Sequence, residues 1–276
     1  RKVSRHTSGR SHSPRMNNEQ SRVFSLDLGN STCRIGLFDQ GRITQERFVS
    51  TSSFAENPDD LLGPIVSCPE PLAYCSVSTL AESALKEWSS RSGTKSFNLT
   101  NDSYGNFPIT YPSPDEIGQD RIANAFATHR TSELPAIVID VGTATTFDVV
   151  GKEEGYMGGV IAPGPQGFLD FLHQNTALLP KVRIGDKMPS NPIGKKTTDA
   201  MLLGIHLGFG PMVKGILNEL SDELMKTSEN KPKVILAGGA SFHLELPDSE
   251  HKPLLTLEGI GLAYLENTTP RNPNEF

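Results

Sequence analysis

The sequence lacks the cysteine framework of disulfide-bonded and zinc-binding proteins, and it lacks the basic charge of nucleic-acid-binding proteins. Its three cysteines, Cys33, Cys68 and Cys75, are an odd number and have no zinc-like spacing. Its seven histidines are scattered without an H-x-x-x-H pair, so we assign no transition-metal site. A net charge of −6 also argues against a nucleic-acid surface, which needs clustered lysine and arginine. We therefore expect a small ligand and a reducing, cytoplasmic setting.

Residues 1–22 have almost no apolar side chains. They carry six lysines and arginines against the single acidic residue Glu19. Such a segment cannot bury enough apolar surface to fold, so we predict a disordered basic tail. It contains no apolar segment typical of a secretory signal, and we expect no membrane partner. The rest of the 276-residue chain is long enough for one large or two medium domains.

Two stretches share a pattern in which an apolar run ends in an aspartate, a glycine and hydroxyl side chains. Residues 24–36 read FSLDLGNSTCRIG, and residues 136–148 read AIVIDVGTATTFD. The glycine permits a turn at which backbone N–H and hydroxyl groups can bind phosphate oxygens. A carboxylate at each strand end can hold a hydrated cation against the phosphates. Together they predict a two-lobed nucleotide clamp, with a pair of ordinary hairpin turns as the alternative.

The remaining periodicity predicts alternating strands and helices. A strand at 72–77, an amphipathic helix at 79–90 and a strand at 96–100 indicate a βαβ unit with parallel pairing. Further helices are predicted at 115–131, 168–179, 197–226 and 257–266, and a strand at 234–237. In the helix at 197–226, we expect Thr197 or Thr198 to be the cap and Gly210-Pro211 to be a break.

A further candidate site is the segment Gly118-Gln119-Asp120-Arg121. A carboxylate beside a guanidinium would orient a substrate hydroxyl and pair with an anion, and a helix N-terminus would keep Asp120 ionised to accept a proton. A simple capping pair is the alternative. The glycines of 155–164, GYMGGVIAPG, either let the backbone approach a ligand closely or form a tight turn.

These motifs together resemble the type III pantothenate kinases, of the actin, sugar-kinase and chaperone-ATPase superfamily. The resemblance covers about residues 23–266 and rests on DLGNS, YPSPDEIGQDR, DVGTATTFD, GGVIAPG and GKKTTDAM. It implies an α/β fold of two ribonuclease-H-like (actin-like ATPase) domains, each a mixed sheet flanked by helices, with the nucleotide in the cleft. We expect lobes at 23–130 and 131–276. The implied activity is ATP-dependent phosphorylation of pantothenate, the first step of coenzyme A biosynthesis, in a homodimer.

The resemblance also implies roles for the residues that match each motif. The expected ATP-binding residues are Asp27, Leu28, Gly29, Asn30, Ser31, Thr32, Cys33, Arg34 and Thr143. The expected pantothenate-binding residues are Tyr111, Gly118, Gln119, Asp120, Arg121 and Thr197, with Thr198 as the alternative to the last. Asp120 is the expected proton acceptor, and Arg121 would pair with the pantothenate carboxylate or with the transferred group. Asp140 is expected to bind potassium or ammonium, and Mg²⁺ to be held through water near Asp27.

Two other functions are compatible with the phosphate-binding hairpins. One is a related kinase acting on another small hydroxylated substrate, which would have no reason to keep Tyr111 seven residues before Gly118. The other is a non-catalytic regulatory protein of the accessory-factor branch that resembles these kinases. The presence of Asp120, Arg121 and Asp140 argues against a loss of catalysis.

Overall fold

The computed structural model describes residues 22–241 and 244–268, so the predicted basic tail lies outside the described residues apart from Arg22. The strands are β1 (Arg22–Leu28), β2 (Thr32–Asp39), β3 (Arg42–Ser50), β4 (Leu72–Ser76), β5 (Ser96–Asn98), β6 (Ala136–Val141), β7 (Ala144–Gly151), β8 (Gly155–Pro163), β9 (Lys233–Ala237) and β10 (Ser249–His251). The helices are α1 (Thr51–Glu56), α2 (Asp59–Leu62), α3 (Thr79–Ser92), α4 (Gln119–Thr131), α5 (Pro165–Gln174), α6 (Thr197–Leu224) and α7 (Leu255–Thr268).

The N-terminal sheet has the strand order β3-β2-β1-β4-β5. Its first three strands are an antiparallel meander, as the turns at 29–31 and 40–41 predict. Strand β4 pairs in parallel with both β1 and β5, and α3 connects β4 to β5, which confirms the predicted βαβ unit. The apolar residues of β1, β2 and β4 pack with α3 in one core, in which Trp88 is 1% exposed.

The C-terminal sheet repeats this plan with the order β10-β9-β6-β7-β8. Strands β6, β7 and β8 form an antiparallel meander, and β9 pairs in parallel with β6 as β4 does with β1. Helices α4 and α7 pack against each other, and α7 also lies against β1. The close approach of the two helices depends on Gly259, because a Cβ at that position would overlap the carbonyl oxygen of Ala123. Two mixed sheets flanked by helices confirm the predicted α/β fold.

Several predicted helix boundaries were wrong. Helix α4 begins at Gln119 and not at 115, because Gly118 has an extended backbone and residues 114–116 form a separate 3₁₀ turn. Helix α5 ends at Gln174, five residues before the predicted 179. Helix α6 begins after Lys196 and has no side-chain cap, so neither Thr197 nor Thr198 is its N-cap.

The predicted break at Gly210-Pro211 was also wrong, because α6 continues through Pro211 to Leu224. Buried Phe209 and Val213 hold the helix against the C-terminal sheet on either side of the proline. Packing of the apolar face therefore overrides the lost backbone hydrogen bond.

By length and composition alone, α6 is long and apolar enough to cross a membrane, with a mean hydropathy of 1.5 over its most apolar window and 28% of that window buried. Core helices of globular proteins meet the same criterion.

Candidate active site

The turns of the two predicted hairpins meet in space. The hydroxyl oxygens of Ser31 and Thr143 lie 2.8 Å apart, although the two residues are 112 positions apart in the chain. Each turn is closed by its own backbone, with Gly29 N–H donating to Thr32 O at 3.1 Å and Gly142 N–H donating to Ala144 O at 2.9 Å. Ser31 and Thr143 are exposed. The structure therefore brings exposed turns with hydroxyl side chains from both sheets to one place.

The residues of 27–34 differ in what they can offer a ligand. The side chains of Leu28 and Cys33 are buried in the core of the N-terminal sheet, so only their backbone groups are available. The guanidinium of Arg34 lies 3.3 Å from Glu46 and donates to Pro253 O at 3.4 Å, which places it between β2 and the start of α7. Burial raises the pKa values of both Asp27 and Asp140, and the positive charge of Arg34 offsets only part of that rise.

Three aspartates from three elements lie close enough to affect one another. Asp27 and Asp140 each lie one residue before the end of their strands, β1 and β6, and Asp120 is in the first turn of α4. Burial, and then repulsion by Asp120 and Asp140, raise the pKa of Asp27 to about 7. Burial and Asp120 also raise the pKa of Asp140 to about 6. Such a concentration of negative charge in a half-buried site favours a cation or a proton.

The pKa of Asp120 differs from what the sequence predicted. The backbone N–H of Arg121 donates to Asp120 Oδ1 at 2.8 Å, as expected at a helix N-terminus. Burial nevertheless raises the pKa of Asp120, and this effect outweighs the N–H group and the Arg121 guanidinium. A raised pKa brings a carboxylate closer to neutral pH, where a general base is most effective. Gly118 leaves room for this carboxylate, since a Cβ there would lie 2.6 Å from Asp120 Oδ1.

The side chain of Arg121 points toward the C-terminal sheet. Its Nε donates to Asp148 Oδ1 at 2.8 Å, and Asp148 also accepts from the hydroxyl of Tyr156 at 3.1 Å. The ring of Tyr156 packs edge-on against the ring of Tyr111, with centroids 6.1 Å apart. The structure thus connects Arg121 to Tyr111 through two residues that the sequence analysis did not assign.

Asp140 also has a partner that the sequence analysis missed. The amide of Asn124 donates to Asp140 Oδ2 at 2.8 Å, and the hydroxyl of Thr256 donates to Asn124 Oδ1 at 2.9 Å. Asn124 is 1% exposed. Its position one helical turn after Asp120 was the available signal, because residues i and i+4 share one face of a helix.

Two expected pantothenate residues are less directly connected to the site. The amide of Gln119 donates to Asn101 Oδ1 at 2.5 Å, so its side chain already has a protein partner. Thr197 is exposed at the start of α6. Within the described residues, no hydrogen bond joins Thr197 to Tyr111 or Asp120.

The glycines of β8, and Gly164 directly after it, bring protein backbone together. A Cβ at Gly159 would overlap Phe147 O across the β7–β8 pair, and one at Gly164 would overlap the carbonyl oxygens of Gly142 and Thr143. Gly164 N–H donates to Thr143 O at 3.1 Å and so supports the second turn. Gly158, at φ +114°, leaves space for the ring of Tyr111. These glycines therefore shape the site through their protein neighbours.

The carboxylates do not form a closed metal cage. Within 22–241 and 244–268, no group of three or more histidine, cysteine, aspartate and glutamate residues has metal-binding geometry. Asp27 and Asp140 together provide charge without a full set of ligands. Such a donor set suits a cation that keeps water or ligand oxygens in its coordination sphere.

Comparison with known proteins agrees with this geometry. The family described as type III pantothenate kinase matches residues 23–219. A type III pantothenate kinase from Geotalea uraniireducens is 34% identical over 260 residues, which cover 89% of this chain and 98% of the relative. One from Rhodospirillum rubrum is 43% identical over 162 residues, which cover 58% of this chain and 61% of the relative.

Solved structures show the same fold at lower identity. A Campylobacter jejuni protein assigned to the Baf family of transcriptional activators is 19% identical, with a TM-score of 0.56 over 89% of this chain and 98% of its own. A Sinorhizobium meliloti protein described as a 2-dehydro-3-deoxygalactonokinase is 16% identical, with a TM-score of 0.54 over 92% and 99%. These likenesses concern the fold alone, and they confirm the predicted actin-like ATPase and sugar-kinase architecture.

The family model, the two relatives and the fold of the solved structures all agree with the predicted family. The chain therefore belongs to the type III pantothenate kinase family, the ATP-dependent kinases that phosphorylate pantothenate in coenzyme A biosynthesis.

Proposed function

We propose that ATP binds in the cleft between two lobes, residues 23–130 and 131–276, with its phosphates between the two hairpin turns. The observation that carries this proposal is the 2.8 Å contact between Ser31 and Thr143. The phosphate contacts would come from Asp27, Leu28, Gly29, Asn30, Ser31, Thr32, Cys33, Arg34 and Thr143, with Leu28 and Cys33 contributing backbone groups only. Arg34 would neutralise part of the phosphate charge from between the lobes.

The acceptor side is formed by Tyr111 and the Gly118–Arg121 segment. Asp120 takes the proton of the primary hydroxyl of pantothenate, a role that is typically worth about 10²- to 10⁴-fold in rate. Arg121 pairs with the pantothenate carboxylate; the support is that its guanidinium lies over the ring of Tyr156, which packs against the ring of Tyr111. Gln119 contributes through its backbone, since its amide is bonded to Asn101.

The carboxylates fit the two cations that the family resemblance implies. Asp140 is the residue that would hold potassium or ammonium, and Asp27 would hold Mg²⁺ through water. The support is the raised pKa of both groups, about 6 for Asp140 and about 7 for Asp27, because burial and neighbouring carboxylates make the charged forms costly without a cation. When bound, the cations supply positive charge to the γ-phosphoryl oxygens of a loose transition state.

We further infer that the enzyme is a cytoplasmic homodimer in which Thr197 reaches the pantothenate site of the partner subunit. The support is an apolar surface on β8, α5 and α6, where Ile161, Phe171 and Leu207 are 63%, 60% and 55% exposed. Large exposed apolar patches mark protein interfaces. Thr197 begins α6, so a partner bound to this surface would be close to it.

The first test of the site is Asp120→Asn. The amide cannot accept a proton, so kcat falls at least about 100-fold while the affinity for ATP stays within about twofold. Turnover is measured by coupled ADP release with pantothenate, and ATP binding by calorimetry. Asp115→Asn, the same change at an exposed carboxylate five residues earlier, is the control and keeps parental turnover. Parental turnover in Asp120→Asn would identify Asp120 as a helix cap only.

The monovalent-cation role is tested by exchanging potassium for sodium. We expect activity in potassium or ammonium and little in sodium alone, because Asp140 and its neighbours provide few rigid ligands to a smaller ion. The Asp140→Asn variant should lose its kinase activity in potassium and ammonium, and with it the difference from sodium. Full activity of the parent enzyme in sodium-only buffer would remove Asp140 from this role.

A further inference from the structure

Asp148 is a fully buried carboxylate outside the residues assigned to catalysis. It lies in the middle of β7, opposite Val138 of β6 and Gly159 of β8, and is 0% exposed. A buried carboxylate is strongly unfavourable unless it is paired and hydrogen-bonded. Its partners therefore indicate why a carboxylate is present at this position.

The partners of Asp148 converge on one of its oxygens. Oδ1 lies 2.8 Å from Arg121 Nε, 2.7 Å from Arg121 Nη2 and 3.1 Å from the hydroxyl of Tyr156. Thr146 donates to Oδ2 at 3.4 Å. Tyr156 is 0% exposed, so its hydroxyl is fixed by the core. One edge of the Arg121 guanidinium is thereby held against β7.

The other edge of the guanidinium remains available. Nη2 is close to Asp148 but has no well-aligned hydrogen-bond partner, and Nη1 makes no hydrogen bond or ion pair within the described residues. The Nη1–Nη2 edge is a planar fork that matches the two oxygens of a carboxylate. The side chain of Arg121 is 15% exposed and Nη2 is itself buried without a hydrogen-bond partner, so a ligand would reach this edge from Nη1.

We propose that Asp148, oriented by Tyr156, is a positioning residue that fixes Arg121 with its Nη1–Nη2 edge toward the pantothenate carboxylate. This inference rests on the proposed role of Arg121 in pantothenate binding. It also explains the position of Tyr111, because Tyr156 contacts the Tyr111 ring and bonds to Asp148 through its hydroxyl. Pre-orienting a long side chain lowers the entropy that is lost when the ligand binds.

The decisive variant is Tyr156→Phe, which removes one hydroxyl and keeps the ring. We expect the KM for pantothenate to rise about 5- to 10-fold, while kcat and the KM for ATP stay within about twofold. Asp148→Asn should raise the pantothenate KM about 50-fold or more, because a neutral amide cannot hold the guanidinium in the same way. The matched control is Tyr104→Phe, because Tyr104 is also buried but its hydroxyl has no protein partner. That variant keeps the parental pantothenate KM.

A double-mutant cycle separates positioning from a general structural role. In an Arg121→Gln background, adding Tyr156→Phe should leave kcat/KM for pantothenate unchanged within about twofold. A further 5- to 10-fold loss there, or equal losses for ATP and pantothenate, would overturn the inference. If Arg121→Gln does not lower kcat/KM for pantothenate, the proposed role of Arg121 fails and the inference fails with it. If Arg121→Gln lowers it while Tyr156→Phe and Asp148→Asn do not, the inference alone is wrong.

Discussion

Asp27 illustrates how a buried carboxylate at the proposed phosphate site lowers the stability of the free protein. Burial and two neighbouring carboxylates raise its pKa to about 7, against about 3.9 for an aspartate in an unfolded chain. Between these values the folded protein binds more protons than the unfolded chain does. The free energy of unfolding therefore falls as the pH rises from about 4 to about 7, and the full cost of the charge is present above pH 7.

We accordingly predict that Asp27→Asn stabilises the ligand-free protein while it abolishes or strongly reduces kinase activity. At pH 8, without nucleotide or divalent cation, the free energy of unfolding should rise by about 1–3 kcal/mol, and the gain should be smaller at pH 5.5. Chemical denaturation at the two pH values measures both effects. Asp102→Asn removes an exposed charge and should change stability by less than about 0.5 kcal/mol. A less stable Asp27→Asn protein at pH 8 would contradict the assigned pKa.

The sequence singled out individual candidate residues but not the contacts between them. Asp27, Asp140 and Asp120 were each recognisable, since two of them end apolar runs and the third is in a helix first turn. Asn124 and Asp148 were not, although Asp148 is the last residue of the quoted DVGTATTFD motif. Their roles depend on which strand faces which helix. That arrangement is set by long-range packing, which local periodicity does not contain.

At the scale of the element, short-range signals predicted the hairpins correctly. An apolar run followed by Asp-x-Gly gives a strand that ends in a tight turn, and both β1–β2 and β6–β7 are such pairs. Helix α6 shows where the same reasoning fails. Pro211 predicts a break because it lacks an N–H group, but buried Phe209 and Val213 hold the helix in place across it. Tertiary packing decided the outcome in that case.

If packing holds α6 together across Pro211, then Pro211→Ala should stabilise the protein. Alanine restores a backbone N–H group and removes the clash of the proline ring with the carbonyl of residue 207, and Pro211 is exposed, so no core contact is lost. We expect the free energy of unfolding to rise by about 1–3 kcal/mol, measured by urea denaturation. Val213→Ala, two residues later but fully buried, should lower it instead. Unchanged or lower stability of Pro211→Ala would mean that α6 needs a proline kink at this point.

At the scale of the whole molecule, two sheets of the same plan are joined by helices that belong to neither sheet alone. Helix α4 carries Asp120, Arg121 and Asn124. Asp120 raises the pKa of Asp27 in β1 by charge repulsion. Arg121 donates to Asp148 in β7, and Asn124 donates to Asp140 in β6. Helix α7 comes from the C-terminal end of the chain yet packs against β1. The residues proposed for the acceptor side and for the nucleotide side are therefore linked through α4. Thr197, at the exposed start of α6, makes no hydrogen bond to these residues within the described part of the chain.

The position of Thr197 gives a test of the proposed homodimer by subunit complementation. If each site takes Asp120 from one subunit and Thr197 from its partner, a heterodimer of Asp120→Asn and Thr197→Ala chains has one intact site and one doubly altered site. Random reassortment of equal amounts makes half of the dimers heterodimers, so a mixture of two inactive proteins should recover about a quarter of the parental activity.

The recovery must depend on contact between subunits. Leu207→Glu, which places a charge on the exposed apolar surface of α6, should give a 30.0 kDa monomer in sedimentation experiments and should abolish complementation. Leu80→Glu, the same change at a leucine of α3 that is 59% exposed, should leave both the dimer and the complementation intact. If the two inactive chains recover no activity although they exchange subunits, Thr197 acts within its own chain or not at all, because a site shared between subunits requires that recovery.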